Sequence, residues 1–318
     1  MNVLVTGATT PWGRAVVEHL LAAPQVGHVL AVGAEHVGTG LPSDGPRFHY
    51  AQADLTRPRA VRDLLYGPAR SCGIDRVLHG ALHRAAGDRG DRIHAINVEA
   101  TRLLVQGCVR QPEIRRFVLR SGGEVYAPRA DEPNLIDEDH ALVFDPGAPQ
   151  WLRDRVEADL LTCAQIASPD LAICVLRCAE VLGPGTGSQL WDYLGSRVCL
   201  RPLGFDPMIN VLSVDDALDA VVHALRSDAR GVFNIPGFDT LPLSGLIALA
   251  GRRDVAVPGP LLAPLYRLRT RTVGFEFRYD LNLGRFHTGG ILDGERARAA
   301  LGYQPRHPAR CLAAALAA

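Results

Sequence analysis

Short apolar runs alternate with amphipathic stretches through the first 120 residues of this 318-residue chain, and this alternation constrains the fold most strongly. The runs that predict strands lie at 2–6, 28–33, 48–53, 75–82 and 116–119. Stretches at 13–23, 57–66 and 97–109 have apolar residues at helical spacing. Strands that alternate with helices predict an α/β fold, in which helices cover both faces of a parallel sheet.

A glycine-containing turn joins the first predicted strand to the first predicted helix. It reads Thr6-Gly-Ala-Thr-Thr-Pro-Trp-Gly13. Amide hydrogens at a helix N-terminus attract anions, and a strand, a glycine turn and a helix in this order are typical of pyrophosphate binding. Ligands of doubly wound sheets bind beyond the carboxyl ends of the strands. The turn therefore predicts a Rossmann-like doubly wound parallel sheet with a dinucleotide site at that edge.

Motifs along almost the whole chain support a family resemblance. The turn is similar to Thr-Gly-x-x-Gly-x-x-Gly, with Gly7 and Gly13 matching and Thr10 in place of the middle glycine. Further matching segments are Asp54-Leu55, 75–82, Asn97-Val98, 176–184, 214–216, 232–235 and 292–305. On these residues the chain resembles the extended short-chain dehydrogenase/reductases, the NAD-dependent epimerase/dehydratase family. The resemblance implies a Rossmann core with a small, irregular C-terminal substrate lobe.

The resemblance also implies which residues contact the cofactor, which we expect to be NAD. Glu35, at the end of the second strand, would hydrogen-bond the adenosine ribose and repel a 2′-phosphate, which favours NAD over NADP. Thr10 and Pro11 add a Cβ and remove an N–H where the loop meets the phosphates, so they predict weak binding. The predicted cofactor-binding residues are Gly7, Thr9, Thr10, Trp12, Gly13, Glu35, Asp54, Leu55, Gly80, Ala81, Leu82, Asn97, Arg155 and Cys178.

The residues with which the family performs catalysis are replaced in this chain. The family uses a Ser/Thr, a tyrosine and a lysine four residues after the tyrosine, because a phenol of pKa ~10 is useful near neutrality only beside a fixed cation. These positions hold Gly122, Trp151 and Arg155, and none of the 34 basic residues is a lysine. We therefore assign no catalytic residue. Tyr126 is a surrogate candidate, whose alternative role is packing beneath the substrate.

Three charged residues are candidates for substrate binding. The resemblance places Glu124 and Glu180 near the substrate cleft. Arg278 belongs to an arginine-rich segment, 267–278, that either binds a phosphate or nucleotide diphosphate or forms a solvated basic face.

Composition narrows the partners and the location. The 34 basic and 34 acidic residues balance, and no basic stripe with interleaved aromatics occurs, so nucleic acid is not expected. The seven cysteines form no Cys-x-x-Cys pair, so we expect reduced thiols and no metal site. The chain opens on a strand, and the apolar stretch at 255–265 contains prolines. We therefore expect no signal peptide, no membrane contact and a cytoplasmic location.

The domain division and the function follow from these motifs. We expect a dinucleotide-binding core over 1–182, with 208–236 returning to it, and a substrate-binding lobe from 183–207 and 237–318. The resemblance implies a homodimer through helices near 92–110 and 151–167. One hypothesis is an NAD(P)-binding epimerase, dehydratase or reductase that acts by a non-standard mechanism on a sugar nucleotide or other small substrate. The others are a non-catalytic dinucleotide-binding sensor or scaffold (a pseudoenzyme), and a relic whose pocket no longer holds the cofactor.

Overall fold

The computed structural model describes residues 1–83, 89–128, 134–273 and 277–309. Its strands are β1 (Asn2–Thr6), β2 (His28–Gly33), β3 (Phe48–Gln52), β4 (Arg76–His79), β5 (Arg116–Gly122), β6 (Leu135–Ile136), β7 (Ala172–Cys178), β8 (Glu180–Leu182), β9 (Val198–Pro202), β10 (Met208–Ser213), β11 (Gly231–Ile235), β12 (Asp239–Pro242), β13 (Arg253–Val257) and β14 (Ile291–Leu292). Its helices are α1 (Pro11–Ala22), α2 (Pro58–Leu64), α3 (Asp91–His94), α4 (Ala100–Val109), α5 (Gln150–Cys163), α6 (Gln189–Leu194), α7 (Val214–Arg226), α8 (Leu243–Leu249), α9 (Gly259–Val273), α10 (Leu283–His287) and α11 (Glu295–Leu301).

Seven strands form one parallel sheet in the order β11-β7-β5-β4-β1-β2-β3. Every neighbouring pair within it is parallel. Along β1, Val3 and Val5 pack into the apolar cluster on one face and Leu4 into the cluster on the other. This alternation with period two buries both faces of the sheet. The predicted Rossmann-like doubly wound α/β fold is confirmed.

Helices cover the two faces in the way that the apolar spacing predicts. Helices α1 and α7 contribute Val16, Leu20 and Val221 to one cluster. Helices α2 and α4 contribute Val61 and Leu104 to the other. The carboxyl ends of β1, β2, β4, β5 and β7 therefore meet at one open edge of the sheet, where ligands of such folds bind.

The helix boundaries differ from the predicted ones for local chemical reasons. Helix α1 begins at Pro11 and not at Gly13, because Thr10 caps it and proline suits the first helical position. The predicted helix 57–66 ends as α2 and continues as a π-helical turn over Leu65–Ala69, which contains Pro68. Pro68 has no N–H for the regular bond to the carbonyl four residues earlier. A second π turn, Ala95–Glu99, joins α3 to α4.

A smaller lobe follows the sheet and has its own aromatic core. It contains the three-stranded sheet β12-β10-β8 and the pair β13-β9. Tyr193, Tyr266, Phe277, Tyr279 and Phe286 pack against one another there. Within 208–236, β10 joins this lobe's sheet, whereas β11 completes the seven-stranded sheet. The division of the chain into domains stays a prediction. Within the described ranges, no helix is long and apolar enough to cross a membrane.

Candidate functional site

The glycine turn after β1 is tightly packed at the open edge of the sheet. Gly7 has φ +69°, and a Cβ there would lie 2.9 Å from Ala81 Cα in the loop after β4. A Cβ on Gly13 would lie 2.7 Å from Ala8 Cα. Glycine is therefore required at both positions, one for its backbone conformation and both for the close approach of neighbouring backbone. The structure thus keeps the compact turn that a dinucleotide fingerprint needs.

The start of α1 is less open to an anion than a glycine-rich loop would be. Thr10 Oγ1 accepts a hydrogen bond from Gly13 N at 3.0 Å and donates to Gly7 O at 2.8 Å. Pro11 has no N–H, and its ring packs against Gly185, where a Cβ would collide with it. Among the first three helical residues, Pro11 has no N–H and the Gly13 N–H is already bonded to Thr10. Only the backbone N–H of Trp12 therefore stays available to a phosphate. This geometry supports weak phosphate binding; the affinity itself stays a prediction.

The acidic residues predicted to contact adenosine lie at the ends of β2 and β3. The exposed Glu35 carboxylate accepts a hydrogen bond from Thr9 Oγ1 at 2.7 Å. Asp54 accepts hydrogen bonds from the hydroxyl and the backbone N–H of Thr56, at 2.6 and 3.1 Å, and these bonds keep its pKa below the usual value. Leu55 is buried. Glu35 thus lies beside the glycine turn, and the hydrogen bonds of Asp54 fix the backbone just before α2.

A buried polar group connects β1 to the loop after β4. His79 is fully buried, with Nδ1 2.8 Å from Thr6 Oγ1 and Nε2 2.9 Å from Thr101 Oγ1. Gly80 N and Ala81 N both donate to Thr6 Oγ1. These bonds fix the backbone that the resemblance places along the cofactor.

The remaining predicted cofactor residues lie around the same edge. Leu82 N donates to Gly80 O, and Asn97 Oδ1 accepts from His83 N at 2.7 Å. The Trp12 ring is buried, with the guanidinium of Arg120 3.9 Å from its centroid. The Arg120 side chain was not predicted, because a basic residue inside a strand gives no sequence signal of its position.

The three positions where catalysis is expected by resemblance come together beyond β5. Gly122 ends that strand, and a Cβ on it would lie 2.6 Å from Glu124 Cδ. The Glu124 carboxylate therefore occupies the space that a serine side chain would need. Glu124 forms an ion pair with Arg155, whose guanidinium lies 5.6 Å from the Trp151 ring centroid. A carboxylate, an indole and a guanidinium thus meet at the positions that the resemblance assigns to a hydroxyl, a phenol and an ammonium, and that assignment stays a prediction.

Two adjoining cavities open at this point. The larger has a volume of about 470 Å³ and the smaller about 30 Å³. Both are lined by Glu124, Trp151, Cys178, Glu180 and Arg285. The cavity thus includes both predicted acidic substrate residues and the predicted cofactor residue Cys178.

Two further arginine–carboxylate pairs lie at the cavity wall or beside it. Glu180 Oε2 lies 2.8 Å from Arg285 Nη2, and Glu180 Oε1 accepts from Ser188 Oγ at 2.5 Å. Arg278 donates to Asp280 at 2.6 and 2.8 Å, which lowers the pKa of Asp280 to about 2. Arg278 is thus bound to an acid at the cavity wall. Arg285 and Asp280 were missed, because they lie in an irregular segment without a motif.

Tyr126, the surrogate proton donor, faces a different partner. It is 2% exposed, and its hydroxyl donates to Asn234 Oδ1 at 2.6 Å. Burial raises its pKa to about 12. Tyr126 lines the larger cavity, and packing beneath the substrate, the alternative role, also stays a prediction. A catalytic role for Tyr126 stays a prediction that these contacts do not favour.

Comparison with solved structures supports the fold. A dTDP-glucose 4,6-dehydratase from Bacillus anthracis in complex with NAD matches with a TM-score of 0.74 at 16% identity, over 99% of this chain and 95% of that one. A UDP-glucuronic acid 4-epimerase from Bacillus cereus, with UDP-glucuronic acid and NAD, matches with a TM-score of 0.72 at 18% identity, over 100% and 97%.

Sequence comparison identifies the family. An uncharacterised protein of Mycobacterium tuberculosis is 30% identical over 308 residues, which are 96% of this chain and 80% of that protein. A 3-diazoavenalumate denitrifying reductase of a Streptomyces species is 30% identical and covers 97% of each chain. The family model described as the NAD dependent epimerase/dehydratase family matches residues 3–235. The chain therefore belongs to the NAD-dependent epimerase/dehydratase family.

Proposed function

We propose that this protein is a dinucleotide-dependent reductase whose substrate accepts a hydride without a proton from the enzyme. The observation that carries the proposal is the Glu124–Arg155 ion pair, which lies over Gly122 beside Trp151. An indole N–H is far too weak an acid to give up its proton near neutrality, and arginine stays charged. These residues can bind and orient a substrate, but they do not reproduce a tyrosine acid whose pKa is lowered by a lysine.

The residues at the glycine turn fit a dinucleotide. Gly7 and Gly13 let the backbone of the turn come close to a pyrophosphate. Glu35 lies just after β2, where its carboxylate would accept a hydrogen bond from a ribose hydroxyl. Its carboxylate would repel a 2′-phosphate, so we propose NAD over NADP. The bound cofactor would supply the hydride. Thr10 and Pro11 would keep its affinity low, in the high micromolar range or weaker.

The name of the Streptomyces relative points to a reaction class that suits this site. That name combines a diazo substrate, reduction and loss of nitrogen. In such a reduction of an aryl diazonium ion, a C–H bond forms from the transferred hydride while the C–N bond breaks. The electron pair of that bond leaves with N₂, and the reduced nicotinamide is oxidised. No proton enters or leaves, so the missing tyrosine and lysine are not needed.

Glu124 has a specific role in this proposal. Its carboxylate is paired with Arg155 and lines both cavities, and the side chains of Glu124 and Arg155 are 16% and 10% exposed. A fixed negative charge in such a partly desolvated position stabilises a cationic electrophile more than water would. We infer that Glu124 binds the positive end of the substrate and Arg155 keeps Glu124 in place.

A non-catalytic dinucleotide-binding protein is the second candidate. The paired Thr10 and Gly13 and the contact of Pro11 with Gly185 favour it, because they reduce the number of amides available to phosphates. A scaffold or sensor would tolerate the loss of the tyrosine and the lysine. A homodimer through α4 and α5 remains a proposal for either function.

A deuterium-transfer assay separates these functions. The purified protein is incubated with NADH deuterated at C4 and 4-carboxybenzenediazonium ion, with a protein-free reaction as the control. Protein-dependent formation of benzoate with deuterium at C4 is the expected result. Calorimetric binding of NADH without any protein-dependent transfer would contradict the reductase and support the non-catalytic candidate. Absence of NAD(H) binding at millimolar concentration would contradict both.

A further inference from the structure

The Glu35 carboxylate is held against the glycine turn, although Glu35 is an exposed residue. Its Oε2 accepts a hydrogen bond from Thr9 Oγ1 at 2.7 Å. A Cβ on Gly33 would lie 2.8 Å from the same Oε2 and 2.9 Å from Thr9 Cγ2. The Glu35 side chain therefore lies over Gly33 and is joined to the turn by a hydrogen bond to a charged acceptor, which is stronger than one between neutral groups.

The backbone at Glu35 is fixed by side chains of β3. The Tyr50 hydroxyl donates to Glu35 O at 2.6 Å, and Gln52 Nε2 donates to Ala34 O at 3.0 Å. Tyr50 and Gln52 are two residues apart on a strand, so their side chains leave the same face of the sheet. Burial and the charge of Glu35 raise the pKa of Tyr50, so the hydroxyl keeps its donor proton well above neutral pH. Glu35 is thus fixed at its backbone and at its carboxylate.

The carboxylate of Glu35 keeps capacity for a ligand. Within the described residues, its hydrogen bond to the protein is made by Oε2, and each carboxylate oxygen can accept more than one bond. Oε1 is therefore available to a ribose hydroxyl, whose hydrogen bond needs a short distance and good alignment. The segment 34–46 contains no lysine or arginine, so it offers no cation to a 2′-phosphate.

The fixed position of Glu35 favours a ribose hydroxyl over a 2′-phosphate in two ways. A free glutamate side chain samples several rotamers, and a ligand that needs one of them loses binding energy in fixing it. Thr9 has already selected one rotamer, so a hydroxyl can use Oε1 at a lower entropic cost. The same contact keeps the negative charge from turning away into solvent, so a 2′-phosphate would be repelled more strongly.

We propose that Thr9 is a positioning residue that sets the preference of this site for NAD over NADP by holding the Glu35 carboxylate, while Tyr50 holds the Glu35 backbone. The inference rests on the proposed function in that Glu35 binds the adenosine ribose. The turn that would approach the pyrophosphate therefore also places the residue that selects the ribose.

The ratio of the Kd for NADP to the Kd for NAD tests the proposal, because a merely structural change would raise both constants together. Saturation-transfer NMR titrations of the full chain measure both constants into the millimolar range. In Thr9→Val, which keeps the shape of threonine and loses the hydroxyl, we expect the ratio to fall about fivefold. Thr9→Ser keeps the hydroxyl and should keep the ratio. Thr39→Val, at an exposed threonine of the loop after β2, is the matched control and should also keep it.

An unchanged ratio in Thr9→Val, or an equal fall in Thr9→Ser, would overturn the proposal. Tyr50→Phe covers the case in which Thr9→Val fails to fold. It removes the hydroxyl that holds Glu35 O and should lower the ratio about twofold. An unchanged ratio in Tyr50→Phe would then overturn the proposal instead.

Glu35→Gln separates this inference from the proposed function. An unchanged ratio in Glu35→Gln would refute the placement of the ribose at Glu35, and with it both the proposed basis of the NAD preference and this inference. A lower ratio in Glu35→Gln together with an unchanged ratio in Thr9→Val would refute this inference alone.

Discussion

Two arginine–carboxylate pairs lie on neighbouring strands and helices but in different surroundings. Arg177 and Asp159 are 4% and 0% exposed, and Asp159 accepts two hydrogen bonds from that guanidinium, at 2.7 and 3.1 Å. Asp159 also accepts from Ser121 Oγ at 2.6 Å. The other pair, Arg155 and Glu124, is 10% and 16% exposed and borders both cavities.

The difference teaches how one pairing can serve two purposes. A pair that is fully buried must satisfy all its hydrogen bonds within the protein, and Ser121 and the bidentate geometry do this for Asp159. The Glu124–Arg155 pair lines the cavity, so a bound ligand can interact with the charge of Glu124. We therefore assign the Arg177–Asp159 pair (the inner pair) to stability and the Arg155–Glu124 pair (the outer pair) to the substrate. Three predictions test this contrast, and a further one tests a buried group of the interior.

The largest expected effect is on the inner pair. Asp159→Ala leaves the Arg177 guanidinium buried without its carboxylate, which we expect to lower the free energy of unfolding by about 4 kcal/mol. Urea denaturation measures the change. The matched control is Asp63→Ala, which removes the exposed partner of Arg59 and should cost at most about 0.5 kcal/mol. Equal effects in the two variants would contradict the structural role.

The next effect concerns the buried histidine of the interior. Burial lowers the pKa of His79 to about 4, whereas an unfolded histidine titrates near 6.5. Below pH 6.5 the unfolded chain therefore binds a proton that the folded chain excludes. We expect this group to stabilise the fold fully above pH 6.5 and to lose about 3 kcal/mol of that contribution by pH 4.

Urea denaturation at pH 7 and pH 4 measures this loss. The variant His79→Gln has no titrating group at this position, so its stability should fall less between the two pH values than that of the wild type. The same fall in both proteins would show that His79 is not the group responsible.

The outer pair should affect activity more than stability. Glu124→Gln removes the negative charge from the cavity, which we expect to cost about 2 kcal/mol in transition-state binding, a roughly 30-fold fall in kcat/KM for the diazonium probe. Steady-state kinetics measures the fall, and urea denaturation should show a change below about 1 kcal/mol. Glu113→Gln, at a surface pair with Arg70, is the control and should leave kcat/KM as it is. A normal kcat/KM in Glu124→Gln would remove Glu124 from the mechanism.

The smallest expected effect comes from Gly122→Ser, which tests whether the absence of a side chain at Gly122 sets the position of the Glu124 carboxylate. The backbone of Gly122 has φ −151°, which any residue can adopt, so Gly122→Ser should fold. Its Cβ would displace the Glu124 carboxylate, which can move because it ends a flexible side chain. We expect a loss of about 1 kcal/mol, or about fivefold, in kcat/KM. Gly67→Ser, where a Cβ would meet nothing within 4 Å, is the control. Unchanged activity in Gly122→Ser would mean that Glu124 acts from more than one position.

The sequence by itself determined the alternation of strands and helices and the glycine turn. Local spacing carries this information: Val3 and Val5 pack on one face of the sheet and Leu4 on the other, as a period of two requires. A turn such as Gly7 to Gly13 is likewise specified by residues that are neighbours in the chain. The predicted replacement of the family's catalytic residues comes from the same kind of local information, because Gly122, Trp151 and Arg155 lie in motifs that resemble the family's.

Only the tertiary structure decided how the cleft is charged. Glu124, in the turn after β5, meets Arg155 of α5, and Glu180 of β8 meets Arg285 of α10. Asp159 and Arg177 are likewise brought together by the packing of α5 against β7. Ion pairs between distant residues follow no periodicity, since they depend on where packed elements place the side chains. The sequence thus specified the scaffold, and the packing of the scaffold specified which charges meet at the cavity.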